Sequence, residues 1–394
     1  MLLSLYLHIP FCKRKCFYCD FCSSAATLSE MEEYCAALVR EIRLRAEVYG
    51  QARVNTVFVG GGTPSVLPDF LMDKVLLELH RSFSIGPEAE FTIEANPGTL
   101  HRDWLVMARG HGVNRLSLGV QASQERLLHT LGRIHTFQEA EEAVILAREQ
   151  GFDNLNADVM FALPGQSIRD YLHTLGSVAA LGVSHISAYS LILEEGTPLF
   201  VRVRREGLAL PSEDEAAGMY EAGRGWLEQQ GYRQYEISNY AKPGSVCRHN
   251  LGYWRGNWYL GLGVSAAGML PVSAPEMSGG AEVVYRRCEN VTDRLQYQHM
   301  LAQGKLPLQQ EHPISRQEAM FEAMMLGLRT VDGVDEGDFY ARFGQPLQEV
   351  YGQQMEELVT QGLAWHHEHE KRRFFALTQR GLLLQNRILL RFMD

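Results

Sequence analysis

Short hydrophobic runs alternate with amphipathic stretches through the first half of the chain, and this alternation restricts the possible folds more than any other feature. Six of the runs have the length and composition of buried strands: residues 3–8, 54–60, 90–95, 114–120, 154–161 and 184–191. Strands that alternate with helices form a parallel sheet with right-handed crossovers. Because six such units occur without a dinucleotide-binding fingerprint, we predict an α/β fold with a partial (β/α)6 barrel.

The first helix of this pattern has recognisable ends. It is predicted to begin at Ser29, because Glu32 follows three residues later as in a capping box, and to end at Gly50.

Composition limits the class of protein. The 394 residues include 37 basic and 47 acidic side chains, and 46% are hydrophobic, which indicates a globular chain of two or three domains. A net charge of −10 without a long Lys/Arg run argues against nucleic acid as a partner. No run of 18 apolar residues occurs, so we predict no membrane-spanning segment and a cytoplasmic location, either free or at the membrane surface.

The chain is predicted to have three parts. The barrel should occupy residues 1–235, and a Gly/Pro-rich, irregular connecting segment should occupy residues 236–312. Residues 313–394 show amphipathic helices followed by a hairpin and a final helix from about Thr378, the order of an α+β, winged-helix-like domain. Its helix at 346–361 carries acidic rather than basic residues, which indicates packing or docking rather than DNA binding.

Four of the seven cysteines lie within eleven residues after the first strand, in YLHIPFCKRKCFYCDFC (6–22). A disulfide framework is disfavoured, because the chain is long and its cysteine count is odd. A structural zinc site usually has two ligand pairs, and no second pair follows at zinc spacing. The third interpretation uses Cys12, Cys16 and Cys19, whose C-x3-C-x2-C spacing suits three thiolates on an iron–sulfur cubane with one iron left open.

Polar and glycine-rich segments stand where the other predicted strands end. GGGTP (60–64) follows the second strand, Glu94 ends the third, Gln121 ends the fourth, and Asp158 lies in the fifth. The carboxyl ends of parallel strands meet at one rim of a barrel, so these residues should lie close to the cysteine loop. Three successive glycines allow backbone N–H groups to approach a carboxylate or an amine closely.

The segments YLHIPFCKRKCFYCDF, GGGTPS, IEANP, LGVQ and ADVMFALPGQ resemble the radical S-adenosylmethionine (SAM) enzymes of the oxygen-independent coproporphyrinogen oxidase group, and the resemblance covers nearly the whole chain. It implies that Cys12, Cys16 and Cys19 hold a [4Fe-4S] cluster whose open iron is chelated by the methionyl amine and carboxylate of SAM. The reduced cluster would cleave SAM to a 5′-deoxyadenosyl radical. The SAM contacts implied by the resemblance are Tyr6, Tyr18, Gly61, Gly62, Thr63, Glu94, Gln121, Arg133 and Asp158.

The resemblance also assigns roles within that set. Tyr18 should lie beside the adenine and Tyr6 at the methionyl end of SAM. Gly61, Gly62 and Thr63 should meet the amine and the cluster side. Arg133 can supply the two-pronged donor that a carboxylate favours.

One position in the cysteine loop separates two branches of this family. The porphyrinogen oxidases carry a fourth cysteine two residues beyond the third, where this chain has Phe21. With Phe at that position, the chain resembles the haem chaperone branch of the family (HemW type). We therefore interpret Cys22, one position later, as a non-ligand, and coproporphyrinogen oxidase activity is not expected.

A second motif resembles the same branch. CRHNLGYWRGNWYLGLG (247–263) is similar to the H-N-x-x-Y-W segment by which these chaperones hold haem, which implies haem binding by His249, Asn250 and Tyr253. Histidine is a natural axial ligand of haem iron. Without the motif, a histidine among aromatic residues is usually packed and hydrogen-bonded. The family commonly continues with G-x-G-A-H, whereas this chain has Ala267 in place of a second histidine.

These features predict a haem-binding chaperone that carries a [4Fe-4S] cluster and SAM and delivers haem to acceptor proteins, with membrane-bound respiratory enzymes as candidate acceptors. The alternative is a radical SAM enzyme that acts on a tetrapyrrole or other small molecule, by coproporphyrinogen oxidation, haem ring opening or methyl transfer. A third hypothesis is a non-catalytic docking protein that keeps only the fold.

Overall fold

The structure is a computed structural model, and it describes residues 1–278 and 280–393. In chain order its strands are β1 Leu2–Ile9, β2 Arg53–Gly61, β3 Ser84–Ala95, β4 Arg115–Gln121, β5 Asn154–Phe161, β6 His185–Ser190, β7 Arg233–Gln234, β8 Asn239–Ala241, β9 Tyr259–Leu262, β10 Ala267–Ser278, β11 Ala281–Asn290, β12 Leu308–Ser315, β13 Val334–Asp335, β14 Ala364–His369 and β15 Arg372–Leu377.

The helices of the same residues are α1 Leu28–Tyr49, α2 Asp69–Ser82, α3 Arg102–Gly110, α4 Glu125–Leu131, α5 Phe137–Glu149, α6 Ile168–Ala180, α7 Pro198–Glu206, α8 Glu213–Gln229, α9 Arg248–Trp254, α10 Arg294–Ala302, α11 Arg316–Gly327, α12 Glu336–Phe343, α13 Leu347–Thr360, α14 Gln379–Leu383 and α15 Gln385–Leu389. Short 3-10 turns occupy Pro64–Val66 and Leu390–Phe392.

The six predicted strands form the centre of one large sheet. Strands β1 to β6 pair in parallel and in chain order. The full order, β12-β11-β10-β9-β1-β2-β3-β4-β5-β6-β8-β7, is an open sheet with β12 and β7 at its edges. The α/β class and the partial (β/α)6 barrel are thus confirmed. The central strands are buried on both faces, which is why they appear in the sequence as continuous apolar runs.

The N-cap of helix α1 is Thr27, two residues earlier than the Ser29 that we predicted from the sequence. Its capping box is formed by Thr27 and Glu30, because the Thr27 backbone is extended and its N–H donates to the Glu30 carboxylate at 2.8 Å. The pattern Ser/Thr-x-x-Glu occurs here twice in overlapping positions, and spacing alone did not distinguish the two. The helix ends at Tyr49, just before Gly50, as predicted.

The description of residues 236–312 as irregular is wrong. This segment contains β8 to β12 with α9 and α10, and it extends the barrel sheet. Strand β9 pairs in parallel with β1, with Leu260 opposite Leu5, whereas β10, β11 and β12 follow in antiparallel order. The outer strand β12 is polar and largely exposed, so it lacks the apolar run that marks a central strand. The division of the chain into three parts stays a prediction.

The C-terminal region has the predicted winged-helix order. Helix α11, strand β13, helices α12 and α13 and the hairpin β14–β15 follow one another, and the three strands form a separate sheet in the order β13-β15-β14. Its core is built on buried side chains such as Phe339, Met355 and Phe375. Met269 and Tyr285 of the main sheet belong to the same core, so this domain packs against the sheet extension.

Among the described residues, no helix combines the length and apolar character needed to cross a membrane.

Candidate functional site

The cysteine loop leaves the carboxyl end of β1 and is tied at its base. Cys12 N–H donates to the Ser24 carbonyl at 3.0 Å, and Ser24 N–H donates to the Pro10 carbonyl at 3.0 Å. The middle of the loop is held by Phe17, whose N–H donates to the Leu131 carbonyl at 2.9 Å. These bonds bring three half-buried thiols to one cavity of about 130 Å³ at the rim of the barrel.

Eleven of the twelve residues predicted for the cluster and SAM line this cavity. They are Cys12, Cys16, Tyr18, Cys19, Gly61, Gly62, Thr63, Glu94, Gln121, Arg133 and Asp158. The twelfth, Tyr6, lies on β1, and its hydroxyl contacts His8 Nδ1 at 3.1 Å. Residues that are up to 146 positions apart in the chain, Cys12 and Asp158, are thus brought to one site by the parallel order of the strands.

The GGGTP segment lies along the cysteine loop. Gly62 N–H donates to the Ile9 carbonyl at 2.8 Å, and Thr63 N–H donates to the Phe11 carbonyl at 2.7 Å. Gly61 has φ of +107°, and a Cβ there would lie 2.5 Å from the His8 ring. A Cβ at Gly62 would lie 2.6 Å from the Phe11 carbonyl oxygen. Glycine is required at both positions, because a side chain at Gly61 would collide with the His8 ring of β1 and one at Gly62 with the backbone at the start of the cysteine loop.

A hydrogen-bond network connects the rim to two of the cysteines. Arg133 Nη2 donates to Asn96 Oδ1 at 2.5 Å, Asn96 Nδ2 donates to Thr63 Oγ1 at 2.8 Å, and Thr63 Oγ1 approaches Cys12 Sγ at 3.6 Å. Arg133 Nη1 also approaches Cys16 Sγ at 3.4 Å. Donors beside a sulfur stabilise the thiolate that a metal cluster needs. Sequence reasoning missed Asn96, although it stands in the quoted IEANP segment directly after strand β3.

Arg133 has a donor that the described residues do not satisfy. Its Nη2 donates to Asn96 Oδ1 and to the Gly119 carbonyl, both at 2.5 Å, but the buried Nε has no hydrogen-bond partner in residues 1–278 and 280–393. Buried donors are normally paired. Arg133 lines the cavity, so its guanidinium is a candidate partner for the carboxylate of a bound ligand, and Nε can gain a partner only if the side chain shifts.

Two carboxyl groups in the cavity have raised pKa values. Burial, together with the nearby Asp158, raises the pKa of Glu94 to about 8, although Gly61 N–H donates to its Oε2 at 3.2 Å. Burial also raises the pKa of Asp158, against the hydrogen bond that Asn156 Nδ2 donates at 2.7 Å. A cation between these groups would favour their ionised forms, so the pair fits a positively charged ligand such as an ammonium or a sulfonium.

Cys22 lies apart from the other three thiols. Its Sγ approaches the Thr292 carbonyl at 3.4 Å, and its own carbonyl accepts a hydrogen bond from His8 Nε2 at 2.9 Å. Among the described residues, Phe21 lines the cavity and Cys22 does not. This placement agrees with the interpretation of Cys22 as a non-ligand.

The H-N-x-x-Y-W motif forms helix α9 at the other end of the barrel. His249 is 1% exposed. Its Nδ1 bonds to Thr56 Oγ1 at 2.8 Å and its Nε2 to the Tyr253 hydroxyl at 2.9 Å. Its backbone N–H donates to Glu90 Oε1 at 2.9 Å. Thr56 and Glu90 are opposite each other near the start of the parallel strands, whereas the cysteine loop follows the strand ends.

The structure therefore brings His249 and Tyr253 together but leaves no free ring nitrogen for haem iron. Burial, with a contribution from Arg115, lowers the pKa of His249 to about 3, so the imidazole is neutral at ordinary pH. Asn250 is half-buried beside it on the same helix. In this conformation His249 has the packed, hydrogen-bonded arrangement that is usual for a histidine among aromatic residues.

The fold and the rim site define a radical SAM protein. The family model described as Radical SAM superfamily matches residues 6–178, and that of the HemN C-terminal domain matches residues 314–384. The structure of coproporphyrinogen III oxidase (HemN) from Escherichia coli, a radical SAM enzyme, matches with a TM-score of 0.82 over 100% of this chain and 90% of that chain, at 23% identity. That match shows a common fold.

Three curated relatives match over nearly their whole length. The heme chaperone HemW of Bacillus subtilis is 34% identical over 98% of this chain and 97% of its own. The heme chaperone HemW of Escherichia coli is 35% identical over 98% and 97%, and that of Lactococcus lactis is 33% identical over 99% and 97%. The chain belongs to the HemW family. Membership in the radical SAM superfamily implies a [4Fe-4S] cluster and SAM.

Proposed function

We propose that the protein is a haem chaperone that binds haem and delivers it to haem-accepting proteins, with membrane-bound respiratory enzymes as candidate acceptors. The observation that carries the proposal is the similarity, over nearly the whole length, to relatives named heme chaperone HemW. Phe21, in place of the fourth cysteine of the porphyrinogen oxidases, supports the same branch.

We further propose that Cys12, Cys16 and Cys19 hold the [4Fe-4S] cluster and that the other cavity residues bind SAM. When bound, the cluster supplies an electron and an open iron site for the SAM amine and carboxylate. Thr63 and Arg133 hold the Cys12 and Cys16 thiols through the contacts described above. The Arg133 guanidinium would bind the carboxylate of SAM, and the Glu94 and Asp158 carboxyl groups would attract its positively charged ammonium and sulfonium.

Haem ligation by His249, Asn250 and Tyr253 remains a proposal, and it requires a movement. His249 has to leave Thr56 and Tyr253 before a ring nitrogen can reach iron. Helix α9 is only seven residues long, but its first N–H groups, those of Arg248 and His249, donate to the buried Glu90 carboxylate of β3, so a change of the His249 side chain requires less disruption than a movement of the whole helix.

The test of this function is a haem titration combined with a product assay. After anaerobic reconstitution with iron and sulfide, hemin should bind with a defined Soret band. Loaded protein should then transfer haem to a haem-free globin. Coproporphyrinogen, supplied with SAM and a reductant, should remain undecarboxylated. An absence of saturable hemin binding would contradict the chaperone function, and decarboxylated product would support the alternative, a radical SAM enzyme acting on a tetrapyrrole or other small molecule.

Arg133→Lys is expected to weaken SAM binding by roughly tenfold, since a point ammonium cannot reproduce a planar donor group that bonds on several sides. Calorimetric titration of SAM into the reconstituted protein measures the change. Arg126→Lys is the control, because Arg126 pairs with Asp170 outside the cavity. Equal SAM affinity in wild type and Arg133→Lys would remove Arg133 from the site.

A further inference from the structure

Five aromatic side chains connect helix α9 with the cysteine loop through the inside of the barrel. We call this set the interior column; its members are Tyr253, His249, Phe58, Tyr6 and His8. Each member contacts the next. The column begins near the starts of the parallel strands and ends at the carbonyl of Cys22, in the last part of the cysteine loop.

The lower half of the column is built on His249. The Tyr253 hydroxyl bonds to its Nε2 at 2.9 Å, and the Tyr253 ring meets the imidazole edge-on with centroids 4.9 Å apart. On its other side the imidazole stacks on Phe58, with centroids 5.2 Å apart and planes 29° from parallel. The orientation of Phe58 therefore depends on where His249 lies.

The upper half continues from Phe58 to the loop. Phe58 stacks on Tyr6 with centroids 6.3 Å apart and planes 25° from parallel. The Tyr6 hydroxyl lies 3.1 Å from His8 Nδ1, and His8 Nε2 lies 2.9 Å from the Cys22 carbonyl. Because a carbonyl only accepts, Nε2 carries the proton of the neutral imidazole and Nδ1 accepts from Tyr6.

The upper end has little freedom to move independently. His8 is 6% exposed, and its ring is so close to Gly61 that a Cβ there would lie 2.5 Å away. The His8 carbonyl also accepts from the buried Tyr34 hydroxyl at 2.7 Å. Tyr6 and Phe58 are half-buried, whereas His8 is held on both ring nitrogens, so a shift of the Tyr6 hydroxyl changes its bond to His8 and through it the bond to the Cys22 carbonyl.

We infer that Phe58 and His8 are positioning residues that couple the hydrogen bonds of His249 in helix α9 to Tyr6 and to the end of the cysteine loop. A change that breaks the bonds of His249 to Tyr253 and Thr56 therefore changes the affinity of the rim site for SAM. By linkage, SAM binding changes the equilibrium constant for breaking those bonds by the same factor. Neither residue lines the cavity, so both act through others. The coupling rests on the proposed SAM site but not on haem delivery, so it can be measured without haem.

The test compares Phe58→Leu with Phe91→Leu. Phe91 lies on the neighbouring strand opposite Val57, is 1% exposed, and contacts His80 outside the column, so its replacement is a control for a general loss of packing. Phe58→Leu is expected to weaken SAM binding roughly five- to twentyfold in the reconstituted protein. It should also speed amide exchange of residues 11–24 in the cluster-free protein. Phe91→Leu should leave both values near wild type.

Tyr253→Phe tests transmission from the far end of the column. It removes the hydroxyl bonded to His249 Nε2 and keeps the ring. In the wild-type background it should speed amide exchange of residues 11–24 severalfold, and in the Phe58→Leu background that effect should disappear, as expected for two sites in one coupled series.

Three results would overturn the inference. The first is an equal effect of Phe58→Leu and Phe91→Leu on SAM affinity. The second is unchanged SAM affinity and loop exchange in a folded Phe58→Leu protein. The third is an effect of Tyr253→Phe that is the same in both backgrounds. Haem takes no part in these measurements, so such results would not contradict the proposed chaperone function. Conversely, failure of the haem titration would not contradict the proposed coupling through the interior column.

Discussion

Cys19→Ser is expected to abolish the [4Fe-4S] absorbance of the reconstituted protein, whereas Cys22→Ser should retain it. Cys19 lies in the cavity with Cys12 and Cys16, and a hydroxyl is a poor substitute for a thiolate on iron. The Cys22 thiol lies against the Thr292 carbonyl instead. The bond from His8 reaches the backbone of residue 22, so it survives the change of side chain.

The cluster content of both variants is measured after anaerobic reconstitution, by iron and sulfide analysis and by visible spectroscopy. Cys288→Ser is a matched control, because that thiol is buried in β11 near Glu311, far along the chain from the loop. Loss of cluster in Cys22→Ser, with Cys288→Ser intact, would make Cys22 a ligand and contradict the assignment of the three cysteines.

His249→Ala is expected to lower the free energy of unfolding by about 3 kcal/mol. The change leaves a cavity beneath Phe58, which loses its stacking partner. It also leaves the hydroxyls of Thr56 and Tyr253 without their imidazole partner, and an unsatisfied buried polar group carries a cost of its own. Denaturant unfolding of the cluster-free protein measures the loss. His129→Ala, at an exposed position of helix α4, should change the free energy of unfolding by less than about 0.5 kcal/mol.

The stability that His249 contributes should depend on pH in a defined direction. In the unfolded chain its pKa is about 6.5, and in the folded protein burial lowers it to about 3. The unfolded state therefore binds a proton that the folded state does not, as pH falls from about 6.5 to 3. The advantage of wild type over His249→Gln should be full above pH 6.5 and should shrink toward pH 3. A difference that does not change with pH would contradict the burial of a neutral imidazole.

Hemin titration of the folded His249→Ala protein addresses ligation separately. Loss of an axial bond should lower haem affinity by roughly a hundredfold and shift the Soret band. A stable variant with unaltered hemin binding would restrict His249 to the packing role that its contacts describe, and the haem would have to bind elsewhere on the chain.

The order and position of the central strands were predictable, because parallel strands buried on both faces need continuous apolar runs and those runs are local in the chain. The cysteine spacing is also local, and the rule that strand ends share one rim was enough to group Cys12, Gly61, Glu94 and Asp158 in advance. The winged-helix order was also predictable, because amphipathic helices and a hairpin each show their pattern within a short segment of the sequence.

Other features depended on contacts between distant parts of the chain. The strands of residues 236–312 were missed for two reasons: β8 and β9 are buried but only three and four residues long, and the outer strand β12 is polar and mostly exposed, so neither kind shows a long apolar run. Only their pairing with the barrel strands and with one another identifies them. The roles of Asn96 and His8 could be recognised only from their hydrogen-bond partners, which lie at the rim for Asn96 and in the cysteine loop for His8.

The motif of His249 shows the difference most directly. The local sequence identified a histidine among aromatic residues and, by resemblance, a haem ligand. Its partner Thr56 is 193 positions away, and the bond between them exists only because α9 lies against the starts of the strands. Sequence determined the chemistry of the side chain, whereas the tertiary structure decided that both of its ring nitrogens are occupied, because burial requires each polar atom to be paired.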